Sequence, residues 1–111
     1  MDIKSSELKP DVHRVALDGR LDAPSTQAIE ESFEEMITAA KYVVVDLEKI
    51  SFVGSIGIRL LMTGAKLKAK KGGKMVMVVT DAKIRWVIKS TGTDQLIPVF
   101  DNVDAAIAAF A

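Results

Sequence analysis

A chain of 111 residues, 49% of them apolar, is long enough to bury a real core as one domain and too apolar to be disordered. It has no cysteine and one histidine, which excludes disulfides, thiolate metal sites, cysteine nucleophiles and a histidine-rich metal centre within a single chain. Fifteen basic residues balance fifteen acidic ones, which excludes a uniformly basic nucleic-acid binder, yet the charge is segregated: residues 1–58 carry net −5, residues 59–89 net +8 and residues 90–111 net −3. Such segregation predicts either solvated helix faces or a surface with two electrostatic sides.

Residues 3–8 read as a weak strand, followed by a turn at Pro10-Asp11. Residues 12–18 read as a better one, with His13, Val15 and Leu17 on one face and Arg14 and Asp18 on the other. Over residues 24–40 the period changes to that of a helix: Ile29, Phe33, Met36, Ile37 and Ala40 form one apolar stripe, and Asp22 and Pro24 suit its start. Tyr42 to Leu47 and Lys74 to Val79 are nearly continuous apolar runs, as in strands covered on both faces of a parallel sheet. A second helix joins them from about Ile56 to Lys71, lined by Ile58, Leu61, Met62 and Ala65 and stopped by Gly72-Gly73. Its last turns carry Lys66, Lys68, Lys70 and Lys71, where positive charge suits the helix dipole. Asp81 is placed to cap a third helix with Ile84, Val87 and Ile88 inward. Ile97 to Phe100 is a short extended piece that Pro98 keeps off any central ladder, and Asp101 or Asn102 caps a last helix. The expectation is a single α/β domain over residues 1–111, a mixed sheet covered by about four helices. The polar start from Met1 to Glu7 and the lack of an apolar run of about 20 residues predict a soluble cytoplasmic protein without membrane insertion.

The stretch that bears on function runs from Ile50 to Leu61, where a loop brings Ser55 to the start of the second helix. One reading is structural: Ser55 as N-cap, its oxygen accepting an orphan N–H of the first turn. Position 58 is Ile58, so no capping box supports it. The other reading is functional, since a phosphoryl group there would meet free N–H groups and the positive end of the helix dipole. Spacing leaves both open.

The order of these segments resembles the STAS domain family of anti-sigma factor antagonists along nearly the whole chain. The resemblance is carried by Leu17-Asp18-Gly19-Arg20-Leu21-Asp22, by Val43 to Leu47, by Ile50 to Val53, and by Ser55-x-Gly57-Ile58, which is similar to the family's Asp-Ser-Ser/Thr-Gly-Leu signature. Gly72-Gly73, the Ile84 to Ile88 helix and Thr91 to Phe100 complete it. It implies a non-enzymatic regulator without a cofactor that binds an anti-sigma factor which is also a serine kinase. It further implies phosphorylation at Ser55, an acidic neighbour at Asp22, resetting by a serine phosphatase, and a contact surface of Asp22, Gly54, Ser55, Ile56, Gly57 and Arg59. Two positions depart from the signature. Gly54 stands where the family has aspartate, and is expected to serve a tight turn. Ile56 replaces a small polar residue and adds apolar surface. The alternative use of such a domain is a non-switching scaffold or adaptor of a stress-sensing or transporter ATPase complex, with Ser55 only a cap.

Other chemistries have thinner support. A hydrolase would need His13 as the base for Ser55, and His13 reads as a packed strand residue. Asp18, Asp22 and Asp46 match no calcium loop, and Asp46 as a phosphoacceptor lacks the early acidic pair such a site requires. Gly54 to Gly57 resembles the backbone clamp of KH domains, but the element order does not fit, and Lys66 to Lys74 lacks aromatics for stacking on bases. Trp86 is expected beside the inner stripe of the third helix, partly buried; exposed, it would be a partner anchor.

Overall fold

The computed structural model describes residues 1–110. Its elements run β1 (Asp2–Lys9), β2 (Val12–Leu21), α1 (Ala23–Thr38), β3 (Tyr42–Val53), α2 (Ser55–Lys70), β4 (Lys74–Val78), α3 (Ala82–Ser90), α4 (Thr93–Leu96), β5 (Val99–Phe100) and α5 (Val103–Ala108). The strands form one mixed sheet in the order β1-β2-β3-β4-β5, with β1 antiparallel to β2 and every other pair parallel.

The two apolar runs at Tyr42 and Lys74 are indeed central strands covered on both sides. Val43, Val45, Leu47, Met75 and Met77 point to a core shared with α1, α2 and α3, where Phe33, Ile37, Leu61, Ile84 and Ile88 are buried. Val44, Val76 and Val78 point the other way, into a smaller core closed by Ala106 of α5 with Leu8, Phe100, Val103 and Phe110 packed around it. Phe110 stacks on Tyr42 with ring centroids 4.9 Å apart. The β1–β2 turn is set by Asp11, whose φ of 63° is left-handed. Its carboxylate accepts from Lys41 N at 2.9 Å and its carbonyl from Tyr42 N at 3.1 Å, so the turn fastens the start of β3.

Four expectations are corrected by tertiary pairing. β2 does not end at Gly19 but runs to Leu21, and β3 continues through the predicted loop to Val53, because Arg20 pairs with Phe52 and Leu21 with Val53. A short α4 and the edge strand β5 stand where only an extended piece was expected; β5 gains its ladder from Met77 and Val78 of β4. Lys68 is not part of a solvated charge run: it is buried, its ammonium donates to the Ala40 carbonyl, and burial lowers its pKa from 10.5. Trp86 is not partly buried: it is 69% exposed.

Candidate functional site

β2 and β3 end side by side, and each hands the chain to a helix. Gly54 N donates to Leu21 O at 3.0 Å, which fixes the two exits against each other. Asp22 follows Leu21 and N-caps α1, its carboxylate accepting from Ser25 N at 3.0 Å, with Pro24 in the first turn. Gly54 follows Val53 and is the N-cap of α2.

The N-cap expectation for Ser55 is therefore wrong by one position. Gly54 takes the cap with φ −94° and ψ −179°, and no side-chain hydrogen bond closes it. Those angles are extended backbone open to any residue, so the tight turn expected of Gly54 is not what the glycine provides. Ser55 is the first helical residue, its side chain exposed. The first intrahelical bond is Ile58 N to Gly54 O at 3.0 Å, which leaves the amides of Ser55, Ile56 and Gly57 without intrahelical acceptors. Ser55 thus stands on the surface over three free donors, with its hydroxyl not committed to capping.

Gly57 explains how the helix reaches this place. A Cβ there would lie 2.7 Å from Leu21 Cβ and 3.0 Å from Leu21 O, so only glycine lets the first turn of α2 rest on the end of β2. Arg59, further along the same helix, is exposed, and Ile56 is half-buried.

The electrostatics are set by Asp22. The Ser25 amide, then the Ser25 side chain, hold its carboxyl below the ordinary 3.8 against the opposing effect of desolvation, and the Arg20 charge adds a weaker pull in the same direction. Arg20 Nε lies 3.6 Å from Asp22 Oδ2, and its guanidinium stacks over the Phe52 ring at 4.5 Å from the centroid. Phe52 is 38% exposed. Sequence reading missed Arg20 and Phe52 as members of this surface; their one legible signal was position, just before Asp22 and Gly54.

Beside it a groove of about 240 Å³ runs between α1 and α2. Ile56, Arg59, Leu60 and Leu67 line one wall, and Thr26, Glu30, Phe33 and Glu34 the other. The close approach of the two helices rests on Gly64, where a Cβ would meet Phe33 Cε2 at 2.9 Å.

The alternative chemistries do not assemble. His13 and Ser55 lie at opposite ends of the β2–β3 pair, about 26 Å apart along the strands, so no nucleophile–base contact exists. Asp46 is only 3% exposed and is held by Arg14 Nε and Nη2 at 2.9 and 2.5 Å and by Glu48 N at 2.9 Å, so it is a structural carboxylate. Among the described residues, no group of three or more His, Cys, Asp or Glu side chains is placed to hold a metal, and no helix is long and apolar enough to cross a membrane.

Residues 5–106 of the sequence match the family model of the STAS domain. The chain belongs to the STAS domain family. It is similar to an anti-sigma F factor antagonist of Paenibacillus polymyxa, with 24% identity over 90 residues covering 79% of this chain and 77% of that one. An anti-sigma factor antagonist of Mycobacterium paratuberculosis has the same fold, with a TM-score of 0.85, 24% identity and coverage of 97% and 93% of the two chains. The Bacillus cell fate determinant SpoIIAA in its phosphorylated form is similar at a TM-score of 0.73 and 17% identity, over 99% of this chain and 100% of that one. A STAS domain is a regulatory rather than a catalytic module.

Proposed function

We propose that this STAS domain is an anti-sigma factor antagonist that docks an anti-sigma factor with serine-kinase activity, and that phosphorylation of Ser55 releases it. The carrying observation is the placement of Ser55: exposed, not engaged as a cap, above three amides without intrahelical acceptors, and on the strand exit next to that of Asp22. The partner surface comprises Asp22, Gly54, Ser55, Ile56, Gly57 and Arg59, with Arg20 and Phe52 at its rim. The named relatives support this reading, because two are anti-sigma factor antagonists and a third was solved in a phosphorylated form.

The chemistry is a transfer from the partner. The γ-phosphoryl of ATP held by the kinase passes to Ser55 Oγ, which loses its proton, and ADP leaves. The product carries about −1.5 to −2 charges near Asp22. The free amides and the helix dipole stabilise the dianion in place. An interface formed around an uncharged serine then faces repulsion and a desolvation cost. A serine phosphatase restores the hydroxyl.

The test is binding of the cognate anti-sigma kinase to wild type, Ser55→Ala and Ser55→Asp, with phosphoryl incorporation followed in parallel. Wild type and Ser55→Ala should bind alike, Ser55→Asp should bind at least tenfold more weakly, and Ser55→Ala should take up no phosphate. Ser55→Ala should also change stability by no more than about 0.5 kcal/mol, as for an exposed side chain with no capping bond. Equal affinity of all three proteins would overturn the switch and leave a scaffold.

A further inference from the structure

Trp86 is the only tryptophan in the chain and the most exposed of its large apolar side chains, at 69%. It stands on α3, flanked one turn before and one turn after by Lys83 and Lys89, both exposed. Arg85 on the same helix is occupied, donating to Val79 O at 2.8 Å and to Asp101 at 2.5 Å. The protein thus presents an aromatic knob between two ammonium groups that make no ion pair among the described residues.

The α1–α2 groove has the complementary character. Ile56 and Leu67 give it half-buried apolar walls over the buried Phe33 and Leu60, around a volume of about 240 Å³. Glu30 and Glu34, four residues apart on α1, line its acidic side. Glu31 and Glu35 lie beside them, and α1 carries no basic residue. Thr26 lines the same groove, 2% exposed, with an Oγ1 that has no hydrogen-bond partner among the described residues. Arg59 sits across the groove from Glu30 and Glu34, where a guanidinium can stack on an indole face rather than oppose the lysines directly.

Knob and groove are on separate parts of one chain: α1 packs on β1, β2 and α2, whereas α3 packs on β3 and α4. Zero formal net charge removes the overall repulsion between copies. We infer that this protein self-associates head to tail, Trp86 of one copy entering the α1–α2 groove of the next, with Lys83 and Lys89 against Glu30 and Glu34. A contact between two different patches is heterologous, so an open assembly keeps a free knob at one end and a free groove at the other and grows with concentration. Ile56 and Arg59 line the same groove, so self-association and the partner surface proposed above overlap.

The experiment needs only the purified chain, so its failure leaves the proposed partner switch untouched. Sedimentation velocity and Trp86 fluorescence are followed from micromolar to millimolar protein. The wild type should sediment faster and its emission shift to the blue as concentration rises, both effects weakening with added salt. Trp86→Ala, which lacks the knob, and the double variant Glu30→Lys, Glu34→Lys, which lacks the acidic side of the groove, should each stay monomeric. Mixed in equal amounts, they should form a dimer and nothing larger, since one intact groove meets one intact knob. A wild type that is monomeric throughout would overturn the inference, as would oligomers that survive in both variants. A blue shift seen only on addition of anionic lipid vesicles would overturn it too, and would assign Trp86 to a membrane surface.

Discussion

At the scale of single residues, glycine and aspartate set the site. Gly57 is fixed by space: Gly57→Ala puts a methyl 2.7 Å from Leu21 Cβ and 3.0 Å from its carbonyl, so helix or strand must shift. The expected cost is about 1–3 kcal/mol in chemical denaturation, as for an overpacked core. Gly54 differs, since its backbone is extended and any residue fits the angles. Asp22 ties the site to pH. Its folded pKa lies below 3.8, so its ionised form is favoured in the native state. That contribution is fully present above the unfolded value and is lost as pH falls through the folded one. Asp22→Asn keeps an N-cap acceptor but removes the charge, so its melting temperature should lie below wild type near neutrality and fall less steeply as pH drops below 3.8, the gap between the two closing. Superimposable acid limbs for the two proteins would contradict this.

Three helices, α1, α3 and α5, begin where a side chain satisfies an orphaned amide, and strands extend as far as a neighbour accompanies them. Asp22, Asp81 and Asn102 cap α1, α3 and α5 through their own oxygens; the sequence offered Asp81 as a cap, Asn102 as one of two, and Asp22 only as a residue at the helix start. Asp101, the other residue proposed to cap the last helix, pairs with Arg85 instead. Asn102 Oδ1 accepts from Ala105 N at 2.8 Å. Asn102→Ala should cost about 1 kcal/mol in stability and raise hydrogen exchange in α5 more than in α2. A uniform rise would mean that α5 does not open separately. α2 begins without a side-chain cap, and that is the helix on which Ser55 stands. The strand ends were less legible. Ile50 to Val53 read as loop because the apolar alternation weakens there, yet pairing with Gly19 to Leu21 extends the ladder.

Across the whole molecule, the two faces of the sheet differ. α1, α2 and α3 cover one, while α5 covers only part of the other. On that second face the Arg14–Asp46 pair joins β2 to β3, with Arg14 37% and Asp46 3% exposed. Arg14→Leu would strand a buried carboxylate, at a cost of about 3 kcal/mol by denaturant titration, whereas the double change Arg14→Leu, Asp46→Leu should recover most of it. A single variant as stable as wild type would show that water already screens the pair. By itself the sequence determined the fold class, the central strands, the helix stripes, Asp22 just ahead of the first helix and Ser55 at a helix start, because hydrophobic period and local start signals act over a few residues. Only the tertiary structure decided that Ser55 is not a cap, that Lys68 is buried while Trp86 is exposed, and that Arg20 and Phe52 join the surface around Ser55. Those facts depend on which segments lie against one another: periodicity states that a helix has an apolar face, but the packing of α2 on β2, and of α3 on β3 and α4, decides which side chains that face covers.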